Sequence, residues 1–510
     1  MKRMKKIMAL MLAAIMMMAM SVTTFAAGTT CSLTVNAKGG QDLKGQTINL
    51  YKLFDVTESG EAPNKNYAYT VNAAYKATLA SVLNIAETAK DEEFAEAVTK
   101  LGSDNSTGVQ NFANTFTTKA LEGKLAATAT SNKIEDSKTT YTFSDLAAGY
   151  YLVYVTGGKD IQSSLITVDA PTNTVNLKTE APSITKKADK ETAEIGQVVK
   201  YTVTGAIPDT TGYAEYVYKI HDELSAGLDF VNDANGAALG TDATAVKVTV
   251  AFKDATDVNT APTEATLDSK NNKIMSLDLS AWVKANQTNK GKEFTVTYYA
   301  KVNKDAVVTN NNQASLEYGN NPNDTTTTTP SEAKTNTYPL DIKKINKKTN
   351  GLLAGAKFRL YLSEADAKAN DESKAIKVSP VVTGVAGNYV VDPASTTTEF
   401  ESVENDLGGY NLRVKGLDAK DYWLVETQAP EGFNKLTDPI KVTITKTDDA
   451  EWTVQKNDAP ETDKIIDVEN STGSLLPSTG GRGAIAFAVI AALLVFGVAV
   501  SFIRDKRKEA

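Results

Sequence analysis

The chain has 510 residues, with 54 basic against 62 acidic side chains, one histidine and one cysteine. The lone Cys31 excludes an internal disulfide, and the lone His221 excludes a histidine-based zinc site and is the one base on which a Ser-His-Asp triad could draw. The acidic balance argues against a nucleic-acid partner, no glycine-rich phosphate cradle stands out, and neither a cofactor nor a metal is expected.

Residues 1–26 read as an export signal: Lys2, Arg3, Lys5 and Lys6 precede a Met/Leu/Ala run with a small-residue cleavage site after Ala26. From 32 to 51 the pattern is strand, Gly39-Gly40 turn, strand, with Leu33, Val35 and Ala37 alternating. Leu79, Val82, Leu83, Ala86, Phe94 and Val98 then fall at helical spacing over 73–101, and 109–121 continues that pattern. Strands resume at 141–143, 150–155, 164–168 and 174–178, so a first domain over 27–178 is predicted as a β framework with inserted helices. Short strands at 198–203, 245–252, 292–302 and 314–318 predict a middle Ig-like β-sandwich over 179–337, with 325–329 as a low-complexity loop. A second sandwich is predicted over 338–470 from strands at 340–344, 357–361, 410–414, 422–426, 440–446 and 465–470. The fold class is therefore mainly β, in tandem sandwiches. Val231 to Gly236 has part of a calcium-loop rhythm but lacks the first carboxylate and the closing glutamate, and reads as a turn.

Residues two apart in a strand share a face, so a polar residue in phase with apolar neighbours points inward. In the last domain Lys344 is in phase with Leu340 and Ile342, Glu426 with Tyr422 and Leu424, and Asn470 with Ile466 and Val468. A buried ammonium tends to lose its proton, and a neutral amine is a nucleophile. The pattern points to attack of Lys344 on the Asn470 carboxamide, assisted by Glu426, giving an intramolecular isopeptide bond between first and last strands. Pulling on the ends would then load a covalent link. In the middle domain Lys186 is in phase with Ile184, Asp222 with Ile220 and Leu224, and Asn312 with Ala314, Leu316 and Tyr318. Lys187, Asn310 and Asn311 stay open as alternatives there, and the first domain has no complete trio. His221 is out of phase with Ile220 and Asp222 and is expected to face water.

The final segment, 471–510, begins with a spacer and carries Leu476-Pro477-Ser478-Thr479-Gly480, an apolar stretch over 484–503 long enough for one transmembrane helix, and a basic tail over 504–510 that should stay cytoplasmic. Without the leader and the residues after Thr479, 45 basic face 60 acidic side chains, four basic residues going with the leader and five basic and two acidic with the tail.

This ending resembles the sorting signal of Gram-positive bacteria, which a sortase cleaves between the positions of Thr479 and Gly480, with Leu476 and Pro477 completing the motif. Lys344-Ile345-Asn346 followed by Leu353-Ala354-Gly355-Ala356 resembles the opening of a Cna protein B-type domain, and the run from Tyr422 to Phe433, through Glu426, is similar to the E-box of that family. Ile184-Thr185-Lys186-Lys187, the run from Ile195 to Tyr201 and the run from Asn312 to Tyr318 resemble a pilin middle domain, with Asp222 in the acid's role. As a whole the chain resembles the major shaft pilins of sortase-assembled pili. The resemblance implies a secreted structural subunit, not an enzyme beyond self-catalysed bond formation, displayed on the cell wall as a fibre. Its implied partners are a class C-type pilin sortase, a housekeeping sortase, identical subunits head to tail, accessory pilins, peptidoglycan and a host receptor. Shaft pilins carry an acceptor lysine in a Tyr-Pro-Lys-Asn motif at the first domain boundary; Lys178 stands there without the Tyr-Pro or the Asn, with Lys187 and Lys190 as alternatives. The alternative reading is a monomeric wall-anchored adhesin or accessory pilin.

Overall fold

The computed structural model describes residues 30–39, 41–59, 66–103, 106–156, 163–178, 181–211, 213–255, 258–473 and 491–495. The leader, the LPSTG signal at 476–480, the basic tail and all of 484–503 except 491–495 lie outside the described residues. No helix among the described residues is long and apolar enough to cross a membrane. Two compact units are present, one drawn from residues up to Lys190, Val198–Lys301 and Asn311–Lys334, the other from Glu191–Gln197, Val302–Asn310 and Thr335 onward.

In the first unit, the strand Cys31–Asn36 lies between antiparallel Thr140–Leu146 and parallel Thr172–Asn176. A second sheet runs Asn66–Val71, Ile48–Ser59, Gly149–Val155, Ser164–Val168, with Ala129–Thr130 beside Ile48–Ser59. The strand–turn–strand expected over 32–51 is therefore not a hairpin: Leu33 and Val35 lie in one sheet and pack on Ile48 and Leu50 of the other, so the chain crosses the core. Gly149–Val155 is buried on both faces, which accounts for its continuous apolar run. Tyr151, Val153 and Val155 face the Cys31–Asn36 sheet, whereas Leu152 and Tyr154 pack with Leu79, Phe94, Phe112 and Phe116 of three helices. Those helices are Lys76–Leu83, Asp91–Thr99 and Thr107–Glu122. Their ends follow ordinary capping chemistry, with Ser106 Oγ accepting from Val109 N–H and Asn84 left-handed at a C-cap.

Two more sheets in this unit face each other across the middle of the chain. One orders Leu228–Val231, Glu293–Val302, Val198–Ala206, Thr185–Ala188; the other orders Ala245–Lys247, Glu264–Leu267, Ile274–Asp278, Val217–Leu224, Thr309–Gly319, Thr326–Thr327. The single strand expected over 245–252 is two strands in different sheets, since Ala245–Lys247 pairs with Glu264–Thr266 and Thr249–Phe252 pairs with Phe294–Thr297. Val248, buried between them, is the point of crossing. Thr326–Thr327, expected in a loop, pairs with Tyr318 and Glu317 because threonine suits an extended edge.

The second unit pairs a sheet ordered Val378–Pro380, Asn388–Val391, Leu412–Leu417, Tyr338–Asn346, Ile465–Asn470 with one ordered Phe400–Glu401, Lys357–Tyr361, Asp421–Gln428, Ile440–Lys446, Trp452–Lys456, Ala459–Glu461. Its first and last strands are parallel neighbours, with Lys344 opposite Val468 and Asn346 opposite Asn470.

Leu152→Ala would leave a cavity between the helical layer and the central sheet of the first unit. An expected cost of about 2–5 kcal/mol should appear as a lower urea midpoint for that unit, with the second unit's transition unmoved.

Candidate functional site

Among the described residues, Lys186 and Lys344 are the only buried lysines, and each has a buried acid beside it. An ammonium out of water is costly unless it is paired and hydrogen-bonded, so these positions are chemically loaded.

Strand alternation aims all three C-terminal side chains inward: Tyr338–Asn346, Asp421–Gln428 and Ile465–Asn470 bury Lys344, Glu426 and Asn470 together with every second apolar neighbour. Glu426 reaches from the facing sheet, its Oε1 lying 3.0 Å from Lys344 Nζ, with neither side chain exposed. The pair meets as an ion pair, and neither Lys344 Nζ nor Glu426 Oε1 has a hydrogen-bond partner besides. Glu426 Oε2 accepts from Asn470 Nδ2 at 3.0 Å and from Leu436 N–H at 2.7 Å. Asn470 Nδ2 also donates to Asn434 O at 2.7 Å, and Asn470 Oδ1 is buried without a partner. Burial pushes the Lys344 amine below the usual lysine range, against the pull of the Glu426 carboxylate. Phe358 closes the apolar side, with its ring 5.7 Å from Nζ.

The middle cluster spans the two facing sheets. Lys186 comes from Thr185–Ala188, paired with Val203, whereas Asp222 and Asn312 come from the neighbouring strands Val217–Leu224 and Thr309–Gly319 of the other sheet. Lys186 Nζ donates to Asp222 Oδ2 and to Tyr298 Oη, Tyr298 Oη donates to Asp222 Oδ2, and Asn312 Nδ2 donates to Tyr298 Oη at 3.2 Å. Asn312 Oδ1 and Asp222 Oδ1 are buried without partners. Burial pushes Lys186 down to about 8, opposed by Asp222, and raises Asp222, opposed by Lys186, Tyr298 and Asn312.

The alternatives at this site lie elsewhere. Lys187 and Asn311 are exposed, and the buried Asn310 instead ties its own loop, with Nδ2 donating to Val307 O at 2.9 Å and Thr335 O at 3.1 Å. Lys178 is exposed at the rim of a cleft of about 370 Å³ lined by Gln110, Ala113, Tyr150, Leu165 and Ile166, and donates to Gln110 Oε1 at 2.9 Å. Lys190 is exposed and donates to Val198 O at 2.9 Å. His221 lies on the outer face, its side chain 35% exposed, held by Ser276 Oγ and Glu317 Oε2, each at 2.8 Å. Asp233 Oδ1 accepts from the backbone of Asn235 and Ala237, a turn closed by its own side chain. Leu476, Pro477, Thr479 and Gly480 lie outside the described residues.

Sequence reasoning missed Tyr298, Asn411 and the 434–436 segment. Tyr298 alternates with Phe294, Val296 and Ala300 and so reads as core. Asn411, fully buried, accepts from Lys344 N–H at 2.7 Å and donates to Leu353 O and Val403 O, fixing the backbone that carries the amine.

A buried amine with a lowered pKa, a carboxamide and a carboxyl are the three groups that amide exchange with loss of ammonia requires. Residues 339–458 match the SpaA prealbumin-like fold domain family. A fimbrial subunit type 1 from Actinomyces viscosus is 30% identical over 159 residues, which span 30% of this chain and 28% of that protein's length. Among solved structures, the T6 backbone pilin of Streptococcus pyogenes aligns over 88% of this chain and 100% of its own at 16% identity and TM-score 0.41. The major pilin SpaA of Corynebacterium diphtheriae aligns over 87% and 100% at 17% identity and TM-score 0.42.

The Lys186 shift carries a pH signature in a chain that cannot crosslink there, such as Asn312→Ala. Below about 8 both folded and unfolded states hold the proton, and the folded state bears the full cost of burying it. Between that value and about 10.4 the folded amine is neutral while the unfolded one stays charged, so stability rises with pH. Urea midpoints of Asn312→Ala should climb across this window, and adding Lys186→Met should abolish the climb.

Proposed function

We propose that the chain is the shaft-forming major subunit of a covalently polymerised cell-surface pilus, braced by isopeptide bonds from Lys344 to Asn470 and from Lys186 to Asn312. The observation that carries this reading is the pair of buried lysine–acid–asparagine clusters, each placing an amine with a lowered pKa and a carboxyl in one apolar site with a carboxamide. The SpaA-type domain at 339–458 and the partial match to a fimbrial subunit support it.

In the C-terminal domain Lys344 Nζ adds to Asn470 Cγ. Glu426 takes the surplus amine proton and returns one to Asn470 Nδ2, so that ammonia departs and the carboxyl is unchanged. The two touching points of Glu426, one oxygen near each nitrogen, suit that shuttle. Asp222 is the acid of the middle site. Each bond forms once, so the protein is a product of its own chemistry rather than a catalyst with turnover.

Polymerisation belongs to partner enzymes. A pilin sortase thiol would take the Thr479 acyl group, releasing Gly480, and Lys178 of the next subunit would accept it; a housekeeping sortase would later pass the fibre to peptidoglycan. Lys178 is exposed at a cleft edge, which suits an acceptor that must enter another protein's active site. Head-to-tail joining of this kind does not close and so yields a fibre.

Two measurements test the reading. The intact mass of the full-length chain should fall short by one ammonia per bond; Glu426→Ala should restore one, and peptide maps should recover Lys344 linked to Asn470. Denaturing gels of wall extracts should show a ladder of multimers that collapses on Lys178→Ala. One main species in the unaltered strain would instead mark a monomeric adhesin or accessory pilin.

A further inference from the structure

The two clusters solve the proton problem differently. Glu426 alone touches both reacting nitrogens, Oε1 3.0 Å from Lys344 Nζ and Oε2 3.0 Å from Asn470 Nδ2. The middle site has an aspartate, one methylene shorter, and its hydrogen bonds converge on a phenol: Tyr298 Oη meets Lys186 Nζ, Asp222 Oδ2 and Asn312 Nδ2. The aromatic ring under the Lys344 amine is Phe358, which has no proton to give.

We propose that Tyr298 is a catalytic residue of the middle-domain crosslink, relaying a proton from Asp222 to the departing Asn312 nitrogen. This rests on the isopeptide reading above. Starting from neutral Lys186 and protonated Asp222, Nζ bonds to Asn312 Cγ, and its surplus proton passes to Asp222 Oδ2 as that acid hands its own proton on through Tyr298. As Cγ becomes tetrahedral the Nδ2 lone pair is freed and takes the Tyr298 proton. Tyr298 recovers a proton from the acid, the Cγ–Nδ2 bond breaks, and ammonia leaves, so acid and phenol end as they began. Burial and the neighbouring Asp222 keep the phenol protonated, the form that can donate. Its position is fixed by a stacked contact with Tyr201, centroids 5.8 Å apart, and a tilted one with Phe230 at 6.0 Å.

The test is Tyr298→Phe in the full-length chain, with peptide mapping used to follow each crosslink over time after isolation. The Lys186–Asn312 linkage should form about 100-fold more slowly or worse, while the Lys344–Asn470 linkage in the same molecules stays complete. Formation at the unaltered rate overturns the proposal. Asn312→Ala supplies the folded, unlinked reference: Tyr298→Phe must match its protease resistance, and a lower resistance would assign Tyr298 to packing and likewise overturn the proposal. Absence of the Lys186–Asn312 linkage from the unaltered chain is a different outcome, since it removes the isopeptide reading itself.

Discussion

An amine buried in an apolar core beside a carboxyl is the interaction around which both sandwiches are arranged. Lys186 and Lys344 occupy positions where strand alternation calls for an aliphatic side chain, and each is met there by a carboxyl and an aromatic face, with the Tyr298 hydroxyl added at Lys186. Desolvation drives each amine toward its neutral form. The carboxamide oxygens of Asn312 and Asn470 add to the tension, because each is buried without a donor. An unsatisfied buried polar group costs about 1–3 kcal/mol. Exchange of amine and amide for a secondary amide and ammonia removes the ionisable nitrogen from the core.

The surroundings hold this arrangement by backbone rather than by further charge. Asn411 fixes the main chain at Lys344, Leu436 N–H holds the Glu426 carboxylate, and Asn434 O holds the Asn470 amide. The middle site relies instead on the Tyr298 phenol, whose ring stacks on Tyr201 and meets Phe230 at a tilt. The shorter acid of the middle sandwich is accompanied by a buried phenol, Tyr298, that has no counterpart beside Glu426 among the contacts of Lys344.

Much of this was legible in the sequence, because a period of two needs only local residues to say which way a strand side chain points. Lys344, Glu426 and Asn470 all face inward as their phase predicts, and the same holds for Lys186, Asp222 and Asn312. Tyr298 was hidden because an aromatic in phase with Phe294 and Val296 is indistinguishable from core, and the direction of its hydroxyl is set by the opposite sheet. Periodicity was equally blind to the sheet change at Val248 and to the crossing between Asn36 and Ile48, where two good strands join different partners. At Lys178 exposure could be read locally, but the contact with Gln110, 68 residues away, could not.

The parallel pairing of Tyr338–Asn346 with Ile465–Asn470 has a mechanical corollary under the pilus reading. Tension entering from a neighbour at Lys178 would travel to Lys186, step to Asn312, continue to Lys344, step to Asn470 and leave at Thr479. Residues 187–311 and 345–469 would be short-circuited, and everything before Lys178 would hang beside the line of force. A first domain without a crosslink would then be no weak link, and the stretches that must survive pulling would shrink to three pieces of backbone.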